Sequence, residues 1–197
     1  MADSDNSPDT LLTLTDGLKI TRSIVLIGLM GAGKTSIGRR LAVRLGLPFA
    51  DADTEIEIAA GRSVSDIFEE FGEAAFRDGE RKVIARLMDE TPKILATGGG
   101  AFMDAETRTL IREHAISIWL KADITTLVER TSRRNTRPLL QDGNAEETLV
   151  RLAEMREPVY AEADLTVESD DGPHEQTVDA IVSALEQYLR RRPLERP

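Results

Sequence analysis

Cysteine is absent from the 197 residues, which excludes disulfide bridges and thiolate metal sites. Histidine is nearly absent. His114 and His174 are the two imidazoles, and neither has a metal-ligand partner at a useful spacing, so both read as solvent-facing or partly packed and zinc chemistry is not expected. No apolar run approaches the ~20 residues of a membrane-spanning helix. Met1 to Asp16 is rich in Asp, Ser and Thr and lacks a basic segment followed by an apolar one, so it does not read as a secretory signal. A flexible extension over residues 1–22, a cytoplasmic protein and no membrane partner are the expectations. An excess of basic charge is missing too: 25 Lys and Arg against 35 Asp and Glu, a net charge of −10, argue against a general nucleic-acid binder.

The residues present are those of one globular domain, with 41% hydrophobic and 30% charged residues, enough for a sizeable core without staples. Gly28-Leu29-Met30-Gly31-Ala32-Gly33-Lys34-Thr35 satisfies every fixed position of the phosphate-binding pattern G-x-x-x-x-G-K-[ST]. It follows the apolar run Ile24 to Ile27, suited to a strand buried on both faces, and precedes a segment in which Ile37, Leu41 and Leu45 recur at helical spacing. Gly28, Gly31 and Gly33 can take backbone angles closed to other residues, so consecutive N–H groups can surround phosphate oxygens with the positive end of a helix behind them. A triphosphate is the natural guest: Lys34 would neutralise its β- and γ-phosphates, and the Thr35 hydroxyl would bind magnesium.

Strand and helix signals alternate along the rest of the chain. Phe49-Ala50 leads into Asp51-Ala-Asp53 and a helix from Thr54 to about Ala60. Ser63 and Asp66 form a capping box for a short helix ending at Phe71-Gly72, and a longer helix follows from about Glu73 to Met88. Lys93 to Thr97, Ile116 to Leu120 and Leu165 to Val167 read as further strands. The intervening segments after Gly100, from Asp123 and over Ala145–Tyr160 read as helices, as does Glu175 to Arg191. Such alternation implies a parallel sheet covered by helices on both faces, with ligands at the carboxyl ends of the strands.

Asp51 and Asp53 are two apart, so in an extended segment both point into the same pocket. One carboxylate could hold a magnesium-bound water while the other orients or accepts the proton of an attacking hydroxyl; the alternative is that both merely cap the helix beginning near Thr54. Arg130, Arg133, Arg134 and Arg137 crowd one segment of an acidic chain, which suits an anionic ligand. The residues alone specify a small-molecule kinase.

Several motifs together resemble a known family. The phosphate loop, Asp51-x-Asp53, Gly72-Glu73-Ala-Ala-Phe76-Arg77-x-x-Glu80, Gly98-Gly99-Gly100, Arg137-Pro138-Leu139-Leu140 and Arg156-x-x-x-Tyr160 stand in the order and spacing seen in shikimate kinases. The likeness covers roughly Ser23 to Asp170 and is far more specific than the phosphate loop alone. It implies a nucleoside monophosphate kinase-like, three-layer α/β/α fold with a five-stranded parallel sheet. The activity implied is ATP- and Mg2+-dependent phosphorylation of the 3-hydroxyl of shikimate, a step of the chorismate pathway to aromatic amino acids. It further implies one domain over 23–190, with a substrate-binding insertion at about 54–90, a lid at about 132–142 and a tail over 191–197.

Carried over residue by residue, the resemblance assigns Asp53 to the substrate hydroxyls and to the role of base. Asp51 and Thr35 would hold the metal, and Arg77 and Arg156 the shikimate carboxylate. Gly98, Gly99 and Gly100 would bring backbone against the ring. Gly28, Gly31, Ala32, Gly33, Lys34, Thr35 and Ser36 would cradle the nucleotide. Arg130 would lie against adenine, near Pro173, and Arg137 would swing in with the lid to join Lys34 in stabilising the transferring phosphoryl group. A monomer is expected, since no apolar surface stripe is evident. Two rivals remain: another P-loop small-molecule kinase, such as one acting on gluconate, and a nucleotide-binding module without catalysis.

Overall fold

A strand with no polar face must be covered on both sides, and Ile24 to Ile27 accordingly takes the middle of a sheet. In the computed structural model, which describes residues 20–132 and 145–191, β1 (Ser23–Ile27) is buried along its whole length. It pairs in parallel with β3 (Ile94–Ala96) on one side and β4 (Ala115–Lys121) on the other. The edges are β2 (Phe49–Asp51), beside β3, and β5 (Leu165–Glu168), beside β4, so the order is β2-β3-β1-β4-β5 with every pair parallel. Ile24 lies in register with Ile94 and Ile116, and Leu26 with Ala96 and Ile118, which stacks apolar side chains in rows across the sheet.

Parallel neighbours need crossovers. These are α1 (Lys34–Leu45), α2 (Ala52–Ala60) with α3 (Val64–Asp89), a short 3-10 turn (Ala101–Met103) with α4 (Ala105–His114), and α5 (Ile124–Ser132) with α6 (Ala145–Tyr160). Helix α7 (His174–Arg191) closes the described chain. The helices cover both faces of the sheet, a three-layer α/β/α architecture. The strand order switches sides at β1, since β2 and β3 lie to one side of it and β4 and β5 to the other, while all strands run parallel. The crevice at its carboxyl end is therefore the expected ligand position.

Local signals account for most boundaries. Helix α1 buries Ile37, Leu41 and Leu45 and ends at Gly46, which takes φ 61°. The Ser63 hydroxyl accepts the Asp66 N–H at 3.1 Å and the Asp66 carboxylate accepts the Ser63 N–H at 3.3 Å, completing the capping box. Gly72, at φ 77° and ψ 173°, divides α3 into the two helical pieces read from the sequence. The second piece buries Phe76, Val83, Ile84 and Leu87, each worth about 1.5–3 kcal/mol by area removed from water.

One expectation is corrected. The helix after β2 begins at Ala52 and not at Thr54, because the Asp51 carboxylate caps it by accepting the Asp53 N–H at 3.2 Å. Asp53 thus stands in the first turn of α2, and the two acids do not share one face of an extended segment. Among the described residues, no helix is long and apolar enough to cross a membrane. The expected extension up to residue 19, residues 133–142 of the expected lid, and the tail from residue 192 lie outside the described residues.

Candidate active site

A cleft of about 680 Å³ opens at the carboxyl ends of the strands. The loop between β1 and α1 forms its floor, with Gly28 at φ 140°, Gly31 at φ 86° and Gly33 at φ 90°. These angles disfavour any side chain, and they let the loop fold tightly ahead of the α1 N-terminus. Lys34 Nζ donates to the carbonyls of Gly28 at 2.8 Å and Leu29 at 2.9 Å, which holds the ammonium over its own loop. The Thr35 hydroxyl donates to Asp51 Oδ2 at 2.7 Å. That carboxylate therefore spans two jobs, capping α2 with one oxygen and meeting Thr35 with the other.

The Thr35–Asp51 pair tests whether the site suits a divalent metal. It offers hard oxygen donors beside a phosphate loop, and no cluster of three or more acidic or imidazole ligands exists among the described residues. This fits magnesium, which keeps several waters and is held by one or two protein oxygens together with phosphate.

The three-glycine turn after β3 gathers the charged groups. A Cβ on Gly98 would lie 2.9 Å from Asp53 Oδ1 and 3.2 Å from Glu80 Oε1. On Gly99 it would lie 3.2 Å from Arg156 Nη1, and on Gly100 only 2.2 Å from Arg77 Nη2. Two guanidiniums and two carboxylates thus converge on three residues without side chains. Arg77 donates to Glu80 Oε2 at 2.6 Å and stands 5.2 Å from the Phe76 ring centroid. Glu80 is 1% exposed, and its Oε1 has no hydrogen-bond partner within the described residues. Burial pushes the Glu80 pKa up, Arg77 opposes that rise, and the Asp53 charge adds to it.

On the β5 side the cleft is lined by Glu129, Arg130, Asp171, Pro173 and His174. Arg130 Nη1 donates to Ser169 Oγ at 3.2 Å, its Nη2 donates to the Asp170 carbonyl, and Ser169 in turn donates to the Ala32 carbonyl at 3.0 Å. Ser169 therefore ties the phosphate loop to Arg130 and to the chain leaving β5.

Of the residues singled out in the sequence, Gly31, Gly33, Lys34, Thr35, Ser36, Asp51, Asp53, Gly98, Gly99 and Arg130 line the cleft. Gly100, Arg77 and Arg156 border it at the glycine turn. Gly28 and Ala32 sit behind the loop: a Cβ on Gly28 would meet the Leu120 carbonyl at 2.6 Å, and Ala32 is 1% exposed. Arg137 lies outside the described residues. Sequence reasoning assigned nothing to Ser169, to the cleft position of His174, or to the partnership of Glu80 with Arg77. The last had a signal, since Arg77-x-x-Glu80 is a helical i,i+3 spacing.

A family model described as shikimate kinase matches residues 30–186. The chain is 55% identical over 197 aligned positions to a shikimate kinase of Caulobacter vibrioides, covering 95% of this chain and 98% of that one. Its fold is similar to that of a shikimate kinase from Acinetobacter baumannii in complex with shikimate, with a TM-score of 0.81, 38% identity, and 87% and 95% of the two chains covered. A gluconokinase from Sinorhizobium meliloti shares the fold at a TM-score of 0.61 and 18% identity, covering 86% of this chain and 94% of that one.

Proposed function

The chain belongs to the shikimate kinase family, and on that premise we propose how its own residues move the γ-phosphoryl group of ATP to the 3-hydroxyl of shikimate, giving shikimate 3-phosphate and ADP. The observation that carries the reading is the convergence of Arg77, Arg156 and Asp53 on the three-glycine turn, in the cleft that the phosphate loop also lines. A planar carboxylate matches the paired N–H donors of a guanidinium, so the two arginines grip the acid group and orient the ring. The glycines let the ring approach the backbone, and the acceptor hydroxyl comes to rest near Asp53.

Asp53 then orients that hydroxyl and accepts its proton as the oxygen attacks phosphorus. Lys34 leaves its loop carbonyls for the β- and γ-phosphate oxygens, and the loop N–H groups take the rest of the charge. Arg137, from a lid at about 132–142, adds its charge to the transferring group, and Arg130 with Pro173 flanks the adenine. Thr35 and Asp51 would hold magnesium, Asp51 through water, and the bound ion supplies charge neutralisation at the phosphates. The region of about 54–90 serves as the substrate-binding insertion within one domain of 23–190, acting as a cytoplasmic monomer. In support of a monomer, the exposed large apolar residues among those described, Val43, Ile58, Phe71, Val150 and Met155, are spread over four helices, with Val150 and Met155 both on α6.

A coupled ADP-release assay with ATP and magnesium, run in parallel with shikimate, gluconate and no acceptor, tests the reading. Release with shikimate alone is expected. Release with gluconate would overturn the arginine grip, and nucleotide binding without turnover would favour a non-catalytic module.

A further inference from the structure

Tyr160 ends α6 with none of its surface exposed, its ring 5.9 Å from that of Trp119 on β4. So deep a phenol needs a partner for its hydroxyl, and it donates to the Gly99 carbonyl in the three-glycine turn, 61 residues away in sequence. One turn earlier on the same helix, Arg156 reaches the same glycine. Helix α6 thus delivers a guanidinium and a backbone anchor to one peptide unit.

The anchor matters because of what glycine leaves undetermined. Peptide units here are all trans and planar, so turning the Gly99 carbonyl toward Tyr160 turns the Gly100 N–H the opposite way. With glycine on both sides, no Cβ resists a half-rotation of this plane. The flipped unit would bring a carbonyl dipole to the side where the N–H now stands, on a turn whose Gly99 lies beside Arg156 and whose Gly100 lies beside Arg77. An oxygen there would both repel an incoming carboxylate and compete for its guanidinium donors.

Resting on the reading above, we propose that Tyr160 is a positioning residue for acceptor recognition, which holds the Gly99 carbonyl on the buried side so that no backbone oxygen faces the carboxylate of the substrate. Burial pushes the Tyr160 pKa up to about 12 against the charge and hydrogen bond of Arg156 and the charge of Arg77, so the phenol remains a donor to Gly99 throughout the neutral range.

Tyr160→Phe keeps the ring and removes one oxygen. The variant is expected to raise KM for shikimate about 3- to 10-fold, the range set by loss of one hydrogen bond, with kcat and KM for ATP within about twofold of wild type. Thermal shifts provide a second readout independent of turnover. Shikimate should stabilise the variant less than wild type, whereas ATP with magnesium should stabilise both alike. An unchanged KM for shikimate, or equal losses for shikimate and ATP in either readout, would overturn the inference by making Tyr160 dispensable or a general support of the cleft. Wild-type protein that releases no ADP with shikimate would instead sink the functional reading, whatever the variant does.

Discussion

A single carboxylate at the head of α2, that of Asp53, is the base of the proposed mechanism. Asp53 lies in the first helical turn, where its Oδ1 comes within 2.9 Å of the position a Gly98 Cβ would take. Asparagine keeps the size and loses the basicity, so Asp53→Asn is expected to lower kcat by about 10²- to 10⁴-fold, the usual worth of general base catalysis. The ATP dissociation constant, measured by equilibrium binding, should stay within about threefold of wild type. Near-normal turnover would remove Asp53 from the mechanism. Gly100 supports a sharper test because folding and function separate there. Its φ of −96° and ψ of −15° suit alanine, yet the added methyl would meet the tip of the flexible Arg77 side chain at 2.2 Å. The Gly100→Ala chain should therefore fold with stability within about 1 kcal/mol of wild type, with Arg77 pushed aside and KM for shikimate raised about tenfold or more. Urea unfolding and steady-state kinetics on the same preparation check both halves.

Among the elements, α3 shows how local chemistry and long-range packing divide the work. The capping box at Ser63 starts it and Gly72 breaks it, and both are visible in sequence because each depends on residues within one turn. Nothing lies within 4 Å of the place a Gly72 Cβ would take, and φ there is 77°, so Gly72→Ala introduces backbone strain alone. A loss of about 1–2 kcal/mol in urea unfolding is expected; no loss would mean that the two pieces of α3 can join without consequence. Helix α2 goes the other way. The spacing of Asp51 and Asp53 suggests an extended pair, and the Asp51 cap draws Asp53 into the helix instead. Asp51 caps α2 with one oxygen and meets Thr35 with the other. The two carboxylates still converge on one cleft because the first turn of a helix after a strand end points into the same crevice.

For the molecule as a whole, a buried acid in the site links stability to pH. Burial raises the Glu80 pKa, the Asp53 and Asp104 charges add to the rise, and Arg77 works against it. A folded value above the unfolded one means the native state binds more protons. The contribution of Glu80 to stability is then full below the ordinary carboxylate pKa and is lost as pH rises through the raised value. The stability of wild type minus that of Glu80→Gln should accordingly be smaller at about pH 7 than at about pH 4 in urea unfolding. The same difference at both pH values would mean that Arg77 fully offsets the burial.

Residue order alone was enough to mark the phosphate-binding pattern after β1 and the alternating strands and helices of a parallel sheet. A phosphate loop is a contiguous motif, and strands, caps and helix stops are decided by neighbours a few residues apart, so their signals are readable along the chain. The residues proposed above for the acceptor were suggested only by their joint resemblance to a family, because Arg77, Gly99 and Arg156 share no local pattern. How those groups meet is a matter of the folded chain. Among the described residues, Glu80 is left with an oxygen that has no hydrogen-bond partner, Ser169 ties Ala32 to Arg130, and Tyr160 holds the Gly99 carbonyl. Contacts across 39 to 137 residues arise when parallel strands bring distant loops to one edge of the sheet, and a chain read in order carries no periodicity that encodes them.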